Sequence, residues 1–246
     1  MILSQQHKFV FIKGMKVAGT SAEMALAPLC GLDDIVTPIS PIDELARGAQ
    51  SRNYAADRAA EADYLLRLER AKPEELETIP GPQPVFYNHM TLREVLRLYP
   101  RPLTGFKIVG IERSPYAKVI SWANMRLSYG SYRSGGGEMR ADHDSIRTYL
   151  DQSFENGRVL DCRNIERYRG PDGRIAVQLM RYADLQAEFA AFVTSLGIAP
   201  VPPLPHVKKG LMSDTLDLRA VLRADQISRI GTLFAEEFAA FGYPRL

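Results

Sequence analysis

The chain has 246 residues, 46% hydrophobic and 24% charged, which excludes a mostly disordered, collagen-like or membrane-bundle protein. With 31 Lys and Arg against 29 Asp and Glu, the formal charge is only +2. Nucleic acid is therefore not an expected partner, and any anion must be recognised by a few placed groups.

Two cysteines, Cys30 and Cys162, are too few for a disulfide framework and read as reduced thiols of a cytoplasmic protein. The opening Met1–Lys8 lacks the basic, apolar, small-residue order of a secretory leader. No run approaches the roughly 18 apolar residues of a membrane span. His7, His89, His143 and His206 lie far apart, and no CxxC, HExxH or HxxxH spacing occurs, so no metal site is expected.

In chain order, Lys8–Lys13 is aromatic, β-branched and apolar on both faces, the pattern of a buried central strand of a parallel sheet. Gly14–Gly19 turns the chain, and Thr20–Glu23 has capping-box spacing for a helix running to about Leu29. Residues 41–84 are rich in Ala, Arg, Glu and Pro and predict a helical insertion, either a lid or a plain surface excursion, with a polar-faced helix within Asn53–Ala71. Val85–Tyr87 is a short strand candidate, and Thr91–Tyr99 has helical spacing. Gly105–Glu112 predicts a second buried strand, and Ser114-Pro115 predicts the cap and first position of a helix to about Leu127. A mobile loop is expected at about 128–143, around Gly135-Gly136-Gly137. Then come a helix over Asp144–Phe154, a strand over Ile175–Leu179, a helix over Ala183–Leu196 ended by Gly197, an extended Pro200–Pro205, and a helix over Ala224–Phe241.

The loop Gly14-Met15-Lys16-Val17-Ala18-Gly19-Thr20-Ser21 has P-loop glycine spacing, but Thr follows Gly19 where a standard NTPase needs Lys. It keeps the physics of anion binding. Glycine lets backbone N–H groups approach a phosphate, the helix start offers unpaired donors and the positive dipole end, and Thr20, Ser21 and Lys16 add hydroxyls and a charge.

Met15-Lys16-Val17-Ala18-Gly19-Thr20-Ser21 resembles the first motif of sulfotransferases that use 3′-phosphoadenosine 5′-phosphosulfate (PAPS), a strand, Pro-Lys-x-x-Gly-Thr-Ser and a helix. Met15 stands where that motif has proline, which leaves the loop less rigid. Arg113-Ser114-Pro115, with Ser121 eight residues after Arg113, resembles the second motif. Tyr182-Ala183-Asp184-Leu185 and the stretch from Phe234 to Tyr243 resemble later packing segments of the family. The bacterial and carbohydrate-type branch also carries a His-x-Thr element, similar to His89-Met90-Thr91.

The resemblance implies one α/β sulfotransferase domain over 1–246, three-layered and P-loop-like, with a central parallel sheet and flanking helices. Lys16, Val17, Ala18, Gly19, Thr20 and Ser21 would bind the 5′-phosphosulfate, and Arg113, a forked permanent cation, would bind the 3′-phosphate with Ser121. His89, near its ordinary pKa, would be the base. Lys208 and Lys209 would support a phosphate, beside His206, in a late loop that the family uses near its cofactor. His143 between Asp142 and Asp144 reads as part of a helix cap rather than a metal ligand. Glu112 reads as a local partner of Arg113. The implied donor is PAPS, the product adenosine 3′,5′-bisphosphate, and no metal is required. A small-molecule or carbohydrate acceptor is expected, and a homodimer stays open. The alternatives are a P-loop nucleotide kinase or NTPase, which would bind Mg·ATP, and a non-catalytic nucleotide-binding relative.

Overall fold

The computed structural model describes residues 1–133, 141–205 and 217–246. Among these the chain runs β1 (Ile2–Ser4), β2 (Phe9–Ile12), α1 (Gly19–Leu26), β3 (Ile35–Val36), α2 (Pro41–Ala46), α3 (Arg58–Arg70), α4 (Leu92–Leu98), β4 (Lys107–Glu112), α5 (Pro115–Arg133) and α6 (His143–Glu155). It continues through α7 (Ile165–Tyr168), β5 (Gln178–Arg181), α8 (Leu185–Thr194), α9 (Leu218–Val221), α10 (Ala224–Leu233) and α11 (Ala235–Phe241).

The strands form a mixed sheet in the order β3-β1-β2-β4-β5. β2 and β4 pair in parallel, from Phe9 opposite Lys107 to Ile12 opposite Gly110. β1 is antiparallel to both β2 and β3, so the expected parallel pairing holds for β2 with β4 and is corrected at β1 and β3. The reason is local. Only Gln5–Lys8 joins β1 to β2, and a link that short closes a hairpin, whereas a parallel crossover needs a dozen residues or more. Buried Asp34 holds this turn, accepting from Ser4 Oγ at 2.7 Å, Gln5 N at 2.7 Å and Gly31 N at 2.9 Å.

Other expectations shift for physical reasons. Val85 and Phe86 both donate to the Tyr54 carbonyl, at 2.7 and 2.8 Å, so no strand ladder forms at 85–87. The predicted capping box at Thr20 and Glu23 does not form, because α1 already begins at Gly19. A capping box instead opens α4, where Thr91 Oγ1 accepts from Glu94 N–H and the Glu94 carboxylate accepts from Thr91 N–H. α5 runs on to Arg133 and α6 begins at His143, so the loop expected at about 128–143 is helical at both ends, and 134–140 lie outside the described residues; the terminal helix breaks at Phe234 into α10 and α11.

The described residues fall into two compact units. One takes in Met1–Gly14, Ala18–Ile111 and the described residues from Glu166 to Pro205, and holds the sheet with α1 to α4 and α8. Its core includes Phe9, packed edge-on against Phe192 at 5.7 Å. The insertion has its own small core of Tyr64, Leu68 and Leu76. The other unit takes in Met15–Val17, Glu112–Ile165 and the described residues beyond Lys208. There α5, α6, α10 and α11 bury Trp122, Ile146, Ile230, Phe234 and Phe238 together. Among the described residues no helix is long and apolar enough to cross a membrane.

Candidate functional site

β2 delivers the chain into the loop that precedes α1. Lys16 (φ 59°) and Ala18 (φ 62°, ψ 23°) both take the left-handed conformation, while neither Gly14 nor Gly19 does. This conformation is uncommon without glycine, costs about 1–3 kcal/mol per residue, and persists only where the surroundings impose it. Successive backbone N–H groups in a turn can form a concavity that suits an anion. Ala18 is the N-cap of α1 and has no side chain able to cap it; the first turn holds no acidic residue. The N–H groups opening α1 at Gly19, Thr20 and Ser21 are thus set for an external acceptor.

Gly19 is needed for close packing. A Cβ there would sit 2.6 Å from Lys13 Cγ. The Lys13 stem is fixed because its Nζ pairs with buried Glu23 at 2.6 Å. Burial pushes the Glu23 carboxyl up, but Lys13 and the Met1 ammonium outweigh it and hold the pKa at about 2.

In the same unit, His89 has a left-handed backbone (φ 62°). Its Nδ1 lies 3.2 Å from the Lys13 carbonyl oxygen. A carbonyl only accepts, so the neutral ring carries its proton on Nδ1 and its lone pair on Nε2. Burial, then the Lys13 charge, lowers the His89 pKa to about 3, against the expected ordinary value. Beside it, Asn88 Oδ1 is buried without a hydrogen-bond partner among the described residues.

In the other unit, Arg113 lies between the end of β4 and the start of α5 and is 7% exposed. Glu112 meets Arg113 at the backbone. Its Oε1 accepts Arg113 N–H at 2.9 Å and pairs with Lys118 Nζ at 2.8 Å. Lys118, fully buried, also reaches Glu237 Oε2 at 2.6 Å. Burial and the neighbouring Glu237 charge push the Glu112 pKa up despite Lys118. Lys16 belongs to this unit, next to Met15, whose N–H donates to Asn164 Oδ1 at 2.7 Å. Ser121 is half-buried on α5.

The structure thus brings Lys13, Gly19, Glu23 and His89 together in one unit, and Met15, Glu112, Lys118 and Asn164 in the other. His206, Lys208 and Lys209 lie outside the described residues. His143 is the first residue of α6, where Asp142 accepts from Ser145 N–H at 2.8 Å and Asp144 pairs with Arg147 at 2.9 Å. Two concavities of about 450 Å³ lie on the insertion, lined in part by Arg67, Arg70 and Thr78 and by Glu44, Gln50 and Glu69. Neither includes a candidate site residue. Burial pushes the Cys30 and Cys162 thiols up to about 12, so neither is a ready nucleophile.

Sequence reasoning missed Asn88, Lys118 and Asn164. The Asn88 signal was adjacency to His89. Lys118 stands one helical turn after Ser114 on a largely apolar helix, a weak sign of burial. Asn164 meets Met15 across 149 positions, which no local pattern announces. Comparison with protein-family models, curated proteins and solved structures finds no match to this chain.

Proposed function

We propose that the chain is a PAPS-dependent sulfotransferase of P-loop-like type, moving the sulfuryl group to a hydroxyl of a small-molecule or carbohydrate acceptor. The observation that carries this reading is the loop itself. A lysine in a left-handed turn feeds a helix start with no side-chain cap and no acidic first-turn residue. Such an arrangement suits a phosphate.

In this reading Lys16 and the N–H groups from Val17 to Ser21 hold the 5′-phosphosulfate, and Arg113 and Ser121 hold the 3′-phosphate. The acceptor oxygen attacks sulfur, an O–S bond forms, and the bond from sulfur to the bridging 5′-phosphate oxygen breaks. The leaving adenosine 3′,5′-bisphosphate keeps that electron pair, and Lys16 offsets the charge. The acceptor proton passes to His89 Nε2. A base with a pKa of about 3 is weak in the ground state, so proton transfer accompanies O–S bond formation, as the hydroxyl becomes acidic. Asn88 Oδ1 offers the acceptor hydroxyl a hydrogen-bond partner. Catalysis is then mostly positioning and electrostatic preorganisation.

The test is transfer of radiolabelled sulfate from PAPS to a panel of sugars, phenols and polar lipid headgroups. Label is expected in at least one class, lost in Lys16→Ala. A wild-type protein that binds the bisphosphate in no assay and labels nothing overturns the reading.

A further inference from the structure

We propose that Asn164 is a positioning residue that holds the Lys16 loop in its anion-receiving shape; the role as stated rests on the donor-phosphate reading of that loop. The Asn164 side-chain amide pairs with both peptide groups of Met15. Oδ1 accepts the Met15 N–H at 2.7 Å, and Nδ2 donates to the Met15 carbonyl at 3.1 Å. This is what a neighbouring β-strand would supply, made instead by one side chain. A carboxamide offers a donor and an acceptor side by side in this way.

Asn164 is itself fixed. It is fully buried, and its N–H and that of Ile165 (3.0 Å) donate to Glu237 Oε1. Glu237 is held by Lys118, and Lys118 by Glu112 Oε1, the same oxygen that accepts the Arg113 N–H. Asn164 Nδ2 lies 3.5 Å from that oxygen. One connected set of buried polar groups therefore anchors Met15, next to Lys16, and the backbone of Arg113. These two cations are assigned to the two phosphates of the nucleotide, so the set fixes backbone at both. The loop needs such a hold because Lys16 and Ala18, not glycines, take its left-handed turns, and strained backbone persists only where its neighbours over-determine it.

The first measurement needs no variant. In the ligand-free wild-type chain, the Met15 amide should exchange with solvent slowly, since Asn164 holds it. Exchange at an unprotected loop rate overturns the proposal. The second is a double-mutant cycle of Asn164→Ala and Lys16→Ala, read by calorimetry with adenosine 3′,5′-bisphosphate. Asn164→Ala should weaken binding about tenfold when Lys16 is present and less than about twofold when Lys16 is already Ala, because the two act through one loop. Equal losses in both backgrounds, with a lowered urea midpoint, would mean a merely structural role and overturn the proposal. A wild-type chain that binds no bisphosphate removes the donor-phosphate reading and with it the role as stated, while slow Met15 exchange would still establish the clamp on the loop.

Discussion

At the scale of single residues, groups that carry charge in the reaction differ from groups that bind. Lys16→Ala should lower turnover by about 10²–10³-fold, the usual cost of removing one preorganised charge contact. Arg113→Ala should chiefly weaken nucleotide affinity. Steady-state kinetics with PAPS as the varied substrate distinguishes the two, and unchanged constants in both variants would remove the site assignment. His89 gives a sharper test. Its pKa falls from the ordinary 6.5 to about 3, so the folded protein keeps the ring neutral while the unfolded chain protonates it below about 6.5. His89 therefore costs stability progressively as pH drops from 6.5 toward 3 and contributes no pH dependence above that window. Ring-nitrogen NMR should find the imidazole neutral down to about pH 4.5. A midpoint near 6.5 would show that burial and the Lys13 charge do not act as described.

At the scale of elements, the loop and the helix it opens depend on tightly packed charge pairs. Gly19→Ala would drive a methyl against the Lys13 stem, which Glu23 holds in place. Overpacking of this kind costs about 1–3 kcal/mol, visible as a lower urea midpoint. Lys118→Met would leave Glu112 and Glu237 buried without their cation. Removing one partner of a buried pair costs about 3–5 kcal/mol. The two carboxyls would then have raised pKa values when folded, so the loss should be smaller at pH 5 than at pH 8. Equal loss at both pH values would contradict that cause.

Much of this layer was legible in the sequence. β2 and β4 are short apolar runs, Pro115 sits at the first position of α5, and Thr91 and Glu94 close a capping box. What escaped depends on tertiary contact. β1 is three residues long and earns strand geometry only by pairing on both sides. Residues 85–87 look like a strand but spend two N–H groups on a single carbonyl. In the loop, Lys16 and Ala18 take positive φ while Gly14 and Gly19 do not, which no residue type in the motif announces. Met15 read as a loss of rigidity where the resembling motif has proline. Its peptide groups are what Asn164 engages, from 149 positions away.

At the scale of the whole molecule, a charge of +2 over 246 residues leaves recognition of a highly anionic nucleotide to local geometry. In the proposed function, the loop at Lys16 receives a phosphate of an adenosine bisphosphate. The most direct measurement is thermal unfolding of the full chain with adenosine 3′,5′-bisphosphate in metal-free buffer, with Mg·ATP as control. At 100-fold over Kd a ligand adds about 2.7 kcal/mol, which for a chain of this size raises Tm by roughly 5–10 °C. That rise is expected for the bisphosphate, with its loss in Lys16→Ala and little shift with Mg·ATP. No shift with saturating bisphosphate, or a shift with Mg·ATP alone, would contradict the proposed function.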